Sequence, residues 1–401
     1  MHRAAHTLPM IARVLESALR TSAASFPVVT VVGPRQSGKS TLVQQTFPAL
    51  PVTNLERPDH RDEARDDPRG FLHRRRHGAI LDEVQRVPEL LSWLQVEVDA
   101  DARPGRFVLT GSNQHALSAA ISQSLAGRTD VLTLLPPDRG EVARFPSPPN
   151  DLWTALWTGC FPRIHDANIP ADRWQAAYVA TYVERDVRAI LNIVDLIPFS
   201  TFLRLTAART SQETNLATLG ADAGVAQPTA RAWLSVLESS FLTMRVPAWL
   251  RNTRKQLVKA PKLHVVDTGL VAFLLGARSP DELRGHPLRG AVFETWVATE
   301  IWKQRVHRGL TPRLFHWRET RGLEVDLVVD DGAVLWLVEA KSGATLAGDW
   351  FPPLAAALAA TRAEHPGREV RACLVYGGDE ESARHDIRVV PWHQIGSLAP
   401  Q

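Results

Sequence analysis

The chain has 401 residues, 44% of them apolar, and 46 lysines and arginines against 43 acids, a net charge of +3. That length exceeds one ordinary core and implies two or three domains, and the apolar share excludes a disordered chain. The near balance of charge gives no argument for nucleic acid by itself, so local clustering has to carry any such case. No apolar run approaches the ~20 residues of a membrane span. The amino terminus, with Arg3, His6 and Arg13 among alanines, lacks the apolar core of a secretion signal. Cys160 and Cys373 lie far apart and fit no metal spacing. A reduced cytoplasmic protein with two incidental thiols and no membrane partner is therefore expected.

An amphipathic helix is predicted from Leu8 to Ala24, and the apolar run Pro27 to Val32 reads as a strand. Directly after it come Gly33, Pro34, Arg35, Gln36, Ser37, Gly38, Lys39, Ser40 and Thr41, opening a second helix. Strand, glycine loop and helix form the setting of a phosphate-binding loop. Consecutive amides at a helix N-terminus supply converging donors, and glycines at the ends allow the backbone to approach. Lys39 is expected to reach the β- and γ-phosphates of ATP and the Ser40 hydroxyl to take one position on Mg²⁺.

Strand and helix alternate from there: a short strand near Val52–Leu55, a buried strand His77–Glu83 ending in two acids, a helix Pro88–Val98, a strand Phe107–Asn113 and a strand Val131–Leu135. This alternation implies a parallel sheet with helices on both faces. Asp82 is the expected metal ligand and Glu83 the expected catalytic base toward the attacking water. Thr110, Ser112 and Asn113 are candidates to sense the γ-phosphate, and Asn113 is placed among the catalytic residues. Arg128, just before the last strand, is the candidate arginine finger or phosphate sensor. Prolines 136, 137, 146, 148 and 149 mark a boundary near residue 150.

Residues 151 to 215 are helical by pattern, with Trp174, Ala177, Tyr178, Thr181 and Tyr182 at helical spacing, a stripe that reads as core, followed by the charged run Glu184–Arg188. This region is expected to act as a lid or to transmit the nucleotide state. Leu216 to Val225 and Gln227 to Leu234 read as a helix-turn-helix, with Gly224 closing the first helix and Pro228 opening the second. Arg245, Arg251, Arg254, Lys255, Lys259 and Lys262 follow with no acid among them, in a stretch patterned like the hairpin of a winged helix. With Arg231 on the second helix, they form a candidate DNA-binding footprint, although such modules also bind proteins.

In the last third, Glu294 lies on an amphipathic helix Phe293–Trp302, Asp326 ends a strand Leu323–Val325, and Glu339 and Lys341 close a strand Val334–Val338. Two acids on adjacent strands can clamp Mg²⁺ or Mn²⁺, with Lys341 on the same face orienting a water. The spacing is similar to that of metal-dependent nucleases with an acid, acid-x-lysine pattern, including Holliday-junction resolvases. A relic of such a site without activity is the alternative.

The segments GPRQSGKST, ILDEVQRVPEL, LTGSNQ, SLAGR, YVERDV and HVVDTGL together resemble a family of bacterial and archaeal AAA-type ATPases. The resemblance implies an AAA-type P-loop core at 1–150, a helical lid and winged-helix region at 151–275, and a restriction-endonuclease-like α/β domain at 276–401. The basic wing, Arg74 to Arg76 and the acidic set of the last third point to an ATP-driven enzyme on branched or broken DNA. The alternative is a nucleotide-gated switch that binds a protein partner. Oligomerisation is left open by both.

Overall fold

A computed structural model describes residues 11–112, 117, 121, 123–183, 196–249, 260–318 and 322–398. Among the sequence-based candidates, Asn113, Glu184–Arg188, Arg251, Arg254, Lys255 and Lys259 lie outside the described residues, as does the start of the predicted first helix. The chain divides into two compact units, one of residues 1–137 with 239–241 and 306–310, the other of 138–238, 242–305 and 311–401.

In the first unit the strands are β1 (Val28–Val32), β2 (Val52–Asn54), β3 (Ala79–Asp82), β4 (Phe107–Gly111) and β5 (Thr129–Thr133). They form one sheet in the order β2-β3-β4-β1-β5, parallel at every pairing. All residues of β1, β3 and β4 are buried. Unbroken apolar runs of this kind are what a parallel sheet covered on both faces demands. The helices Leu15–Ala23 and Lys39–Thr46 pack Leu15, Leu19, Leu42 and Val43 against Val29, Val31 and Val108. Because β4 lies between β1 and β3, the residues ending β4 sit between the loop after β1 and the acids after β3.

The second unit begins with short helices and continues through Ala171–Tyr178 and Ile197–Ala208. Trp174 and Tyr178 stack at 4.8 Å between ring centroids, and both lean on Phe161. Of the predicted stripe, Trp174 and Tyr178 are core, whereas Ala177 and Thr181 are exposed. Strand β6 (Gln212–Glu213) leads to the helix Leu216–Asp222, whose first amides are capped by Asn215 Oδ1. Gly224, at φ +72°, makes the turn into the helix Gln227–Ser239. Then β7 (Thr243–Val246) and β8 (Lys262–Val265) pair antiparallel, with β8 central in the order β6-β8-β7.

After the helix Arg289–Val306 come β9 (Leu314–Arg318), β10 (Glu324–Asp330), β11 (Val334–Lys341), the helix Phe351–Glu364, β12 (Glu369–Tyr376), β13 (Ser382–Arg384) and β14 (Ile387–Pro391). They form a mixed sheet, β13-β14-β12-β11-β10-β9. Asp326 does not end its strand, as the sequence pattern suggested. It lies inside β10, where the pairing with β9 shifts register between Val325 and Val328, and such an irregularity re-aims a side chain. One apolar core runs through Leu219, Trp233 and Leu237 and on to Phe293, Trp296 and Trp392.

Among the described residues no helix is long and apolar enough to cross a membrane. Both thiols are buried, and burial pushes each up to about 12. Neither cysteine should therefore react with an aromatic disulfide reagent at pH 8 in the native protein, and both should react once it is unfolded. Rapid native labelling at either position would contradict this burial.

Candidate functional sites

The loop after β1 is held from three sides. Gly33 passes so close to the end of the sheet that a Cβ there would stand 2.0 Å from the Leu134 carbonyl oxygen. Gly38, at φ +93°, caps the helix that Lys39 begins. Arg13, 8% exposed, donates from Nη1 to the Ser37 carbonyl at 2.8 Å and from Nη2 to the Leu135 carbonyl at 2.8 Å. This brace was not foreseen, since its partners are 24 and 122 residues away.

Inside the loop, the buried Lys39 ammonium donates to the carbonyls of Gly33 at 3.0 Å and Pro34 at 2.8 Å. Burial pulls its pKa down to about 8, against the opposing charges of Glu83 and Asp82. The Ser37 hydroxyl is fully buried with no hydrogen-bond partner. An orphaned donor beside a buried cation and a helix N-terminus fits an anionic oxygen. Arg35 and Arg86 share Glu56, at 3.5 and 3.4 Å. Gln36 is exposed at φ +64°, and Thr41 is exposed on the helix.

Across from the loop, Asp82 Oδ1 accepts from the Ser40 hydroxyl at 2.6 Å and from the Thr110 hydroxyl. The structure thus brings together the two expected magnesium ligands. Glu83 has φ +59°, a conformation that costs about 1–3 kcal/mol for a residue with a side chain. It is held there by its N–H, which donates to Thr110 Oγ1 at 3.1 Å, and by Ser112, whose hydroxyl donates to Glu83 Oε2 at 3.0 Å. Gln85 also donates to that oxygen and to Ser112. Of the three sensor candidates, Thr110 serves Asp82, Ser112 serves Glu83, and Asn113 is not described.

Arg128 is not brought to this place. Its carbonyl accepts from Val28 at the start of β1, and its guanidinium pairs with Asp99. Register with β1 therefore puts it at the opposite end of the sheet from the loop, about five residues or ~17 Å away. As a sensor within its own subunit it is corrected. Arg74 and Arg75 pair with Glu63, and the Arg75 guanidinium lies 3.6 Å over the Phe71 ring.

The second unit gathers Glu294 from the helix Arg289–Val306, Asp326 from β10, and Glu339 and Lys341 from β11. Asp326 Oδ2 accepts from the Ala340 N–H at 2.9 Å, and Lys341 donates to Glu339 Oε1 at 2.6 Å. Burial, then the charge of Asp326, pushes Glu294 and Glu339 well above the usual carboxylate range. Burial raises Asp326 as well, against the pull of Lys262. Three half-buried acids in one place ask for positive charge.

Part of that charge comes from an unforeseen residue. Lys262, assigned to the basic wing from sequence, has its side chain 5% exposed and its ammonium 2.8 Å from Glu294, 3.0 Å from Glu324 and 3.8 Å from Asp326. It is therefore no surface phosphate contact. Arg245 pairs with Glu238, while Arg231 is exposed on its helix. Two residues on from Lys262, His264 is fully buried and donates to or accepts from Thr295 at 3.1 Å, and burial pulls its pKa down to about 3. Asp267, also overlooked, accepts from Cys160 N–H at 2.7 Å and caps its own helix at Leu270. An Asp just before Thr268-Gly269 is a cap signal the sequence did carry.

Residues 25–143 match a family described as an AAA domain, so the first unit is an AAA-type P-loop ATPase domain. Residues 149–281 and 289–395 match two domains of unknown function, DUF8612 and DUF4143. The "Uncharacterized protein Rv2008c" of Mycobacterium tuberculosis and "Uncharacterized protein Mb2031c" of Mycobacterium bovis are each 32% identical over 319 residues, 78% of this chain and 69% of theirs. Among solved structures, a Walker-type ATPase of Pyrococcus abyssi is similar with 13% identity and TM-score 0.44, covering 65% of this chain and 94% of its own. A RuvB variant of Thermotoga maritima has 18% identity and TM-score 0.28, over 61% and 91%.

Gly33→Ala should cost about 1–3 kcal/mol, because the new methyl drives against the Leu134 carbonyl and something must shift. The expected result is a lowered Tm together with loss of nucleotide binding, read by thermal denaturation and a fluorescent nucleotide. Unchanged values for both would mean the loop has room that the geometry denies it.

Proposed function

The chain belongs to the family of the two mycobacterial proteins and carries its AAA domain, and we propose that it is a magnesium-dependent ATP hydrolase that acts on DNA through its second unit. The observation that carries the ATPase part is the hydrogen bond from Ser40 to Asp82 at 2.6 Å, beside a buried lysine. Mg²⁺ held by Ser40 and Asp82 would neutralise charge on the phosphates. The loop amides and the Ser37 hydroxyl donate to phosphate oxygens, and Lys39 exchanges two carbonyls for the β- and γ-phosphates. Glu83, aimed by its strained backbone and by Ser112, takes the proton of the attacking water.

For the second unit the reading rests on Glu294, Asp326, Glu339 and Lys341, which share one half-buried place. Asp326 and Glu339 would hold Mg²⁺ or Mn²⁺, with Glu294 in support and Lys341 beside the scissile phosphate. The helix-turn-helix with β6, β7 and β8 has the order of a winged helix. Arg231 is its exposed base, with Arg251, Arg254 and Lys255 beyond the described residues. The second reading is a nucleotide-gated switch for a protein partner with an inactive nuclease-like domain. Lys262 favours it, because a protein cation already sits among the acids.

Lys39→Ala is expected to lose both nucleotide binding and hydrolysis. Glu83→Gln should keep ATP affinity within a few-fold while its turnover falls about a hundredfold or more. A Glu83→Gln protein turning over at the parent rate would remove Glu83 as the base.

For the second unit, purified protein is incubated with nicked, single-stranded, duplex and four-way DNA in Mg²⁺ and in Mn²⁺. Cleavage that disappears in Asp326→Ala and Lys341→Ala while ATP hydrolysis persists is the expected result. ATP-dependent binding without cleavage would make the unit a DNA-binding module, and no binding at all would favour the protein-partner switch.

A further inference from the structure

Lys262 is the first residue of β8, where its backbone lies in the ladder opposite Glu213 on one side and Val246 on the other. From there its four-carbon stem carries the ammonium into the cluster, to Glu294 on one element and to Glu324 and Asp326 on another. The head is among the most enclosed charges of the second unit. Its nearest oxygens belong to Glu294 at 2.8 Å and Glu324 at 3.0 Å, with Asp326 next at 3.8 Å, and Glu294 and Asp326 are two of the carboxylates that a divalent cation would need.

We propose that Lys262 is a built-in competitor for the divalent cation of this cluster, so that the site exchanges a lysine-bound form for a metal-bound one. The inference rests on the metal reading given above and adds to it the residue that regulates loading. Two cations cannot share the same oxygens at contact distance, because their repulsion grows as the surroundings dry. Of the positive groups that face the acids, Arg318 meets Glu324 from a half-exposed position at 3.8 Å and Lys341 meets Glu339 from the rim of β11. Among the described residues, Lys262 is the cation within 4 Å of both Glu294 and Asp326. A site open to metal for only a fraction of the time binds it with an affinity reduced by that fraction. Movement of the Lys262 side chain, or of the small sheet carrying β8, would set that fraction. The segment ending in the helix-turn-helix and its strands would thus govern chemistry on the Asp326 strand.

The test is Mn²⁺ binding without nucleotide, in full-length protein carrying Asp82→Asn so that the P-loop contributes no metal. Lys262→Met is expected to bind Mn²⁺ about tenfold or more tightly than its Lys262 parent, and adding Asp326→Asn should abolish the gain. Lys262→Arg, which keeps the charge, should stay weak. Equal or weaker binding in Lys262→Met, with dependence on Asp326 retained, overturns the competition but leaves the metal site standing. No Mn²⁺ bound by either protein overturns both. Should Lys262→Met fail to fold, reductive methylation of the Lys262-containing protein answers the same question by peptide mass spectrometry. Labelling of Lys262 should be slow without metal and several-fold faster at saturating Mn²⁺, and an unchanged rate overturns the proposal.

Discussion

Everything in the first unit that bears on ATP depends on one carboxylate, Asp82, being satisfied from two other elements at once. The Ser40 hydroxyl reaches it from the helix after the loop, and the Thr110 hydroxyl from the end of β4. A buried acid left without donors would cost several kcal/mol. The same Thr110 accepts from the Glu83 amide, so the hydroxyl that holds Asp82 also fixes the backbone turn at Glu83. The loop, Asp82 and Glu83 are thereby one hydrogen-bonded object, and a shift in the sheet register would move all three.

The second unit solves a similar problem by a different route. Its acids are compensated by ammonium groups on long stems rather than by short hydroxyl side chains. Burial raises Glu294 and Glu339 even with the lysines in place. The cluster is therefore balanced close to the point where an acid prefers to keep its proton.

How much of this was legible follows from the distance between partners along the chain. The P-loop, Asp82 and Glu83 were readable because a strand end and the loop after it are local, and the sheet order then followed from alternating apolar runs. Glu294, Asp326, Glu339 and Lys341 were readable from spacing, though Asp326 was placed at a strand end because the register shift inside β10 leaves no mark in the pattern. Lys262 was misread because a run of bases without acids looks like a solvated wing, and its acids lie 32 or more residues further on. Arg128 was misread because adjacency to a strand says nothing of which end of the sheet that strand begins at. Arg13 carried no signal at all, since the pattern read it as one arginine on an amphipathic helix, whereas it precedes the helix Leu15–Ala23.

The apolar core that links Trp233 of the helix-turn-helix with Trp296 and Trp392 of the last sheet restricts how this chain can be altered by inheritance. A recombination joint falling between those two stretches would deliver each half with partners shaped for someone else's side chains. Exchange among relatives is therefore favourable only when both stretches travel together, and the P-loop sheet, though it has its own core, carries the same tie to the later chain, since the Leu135 N–H donates to His307.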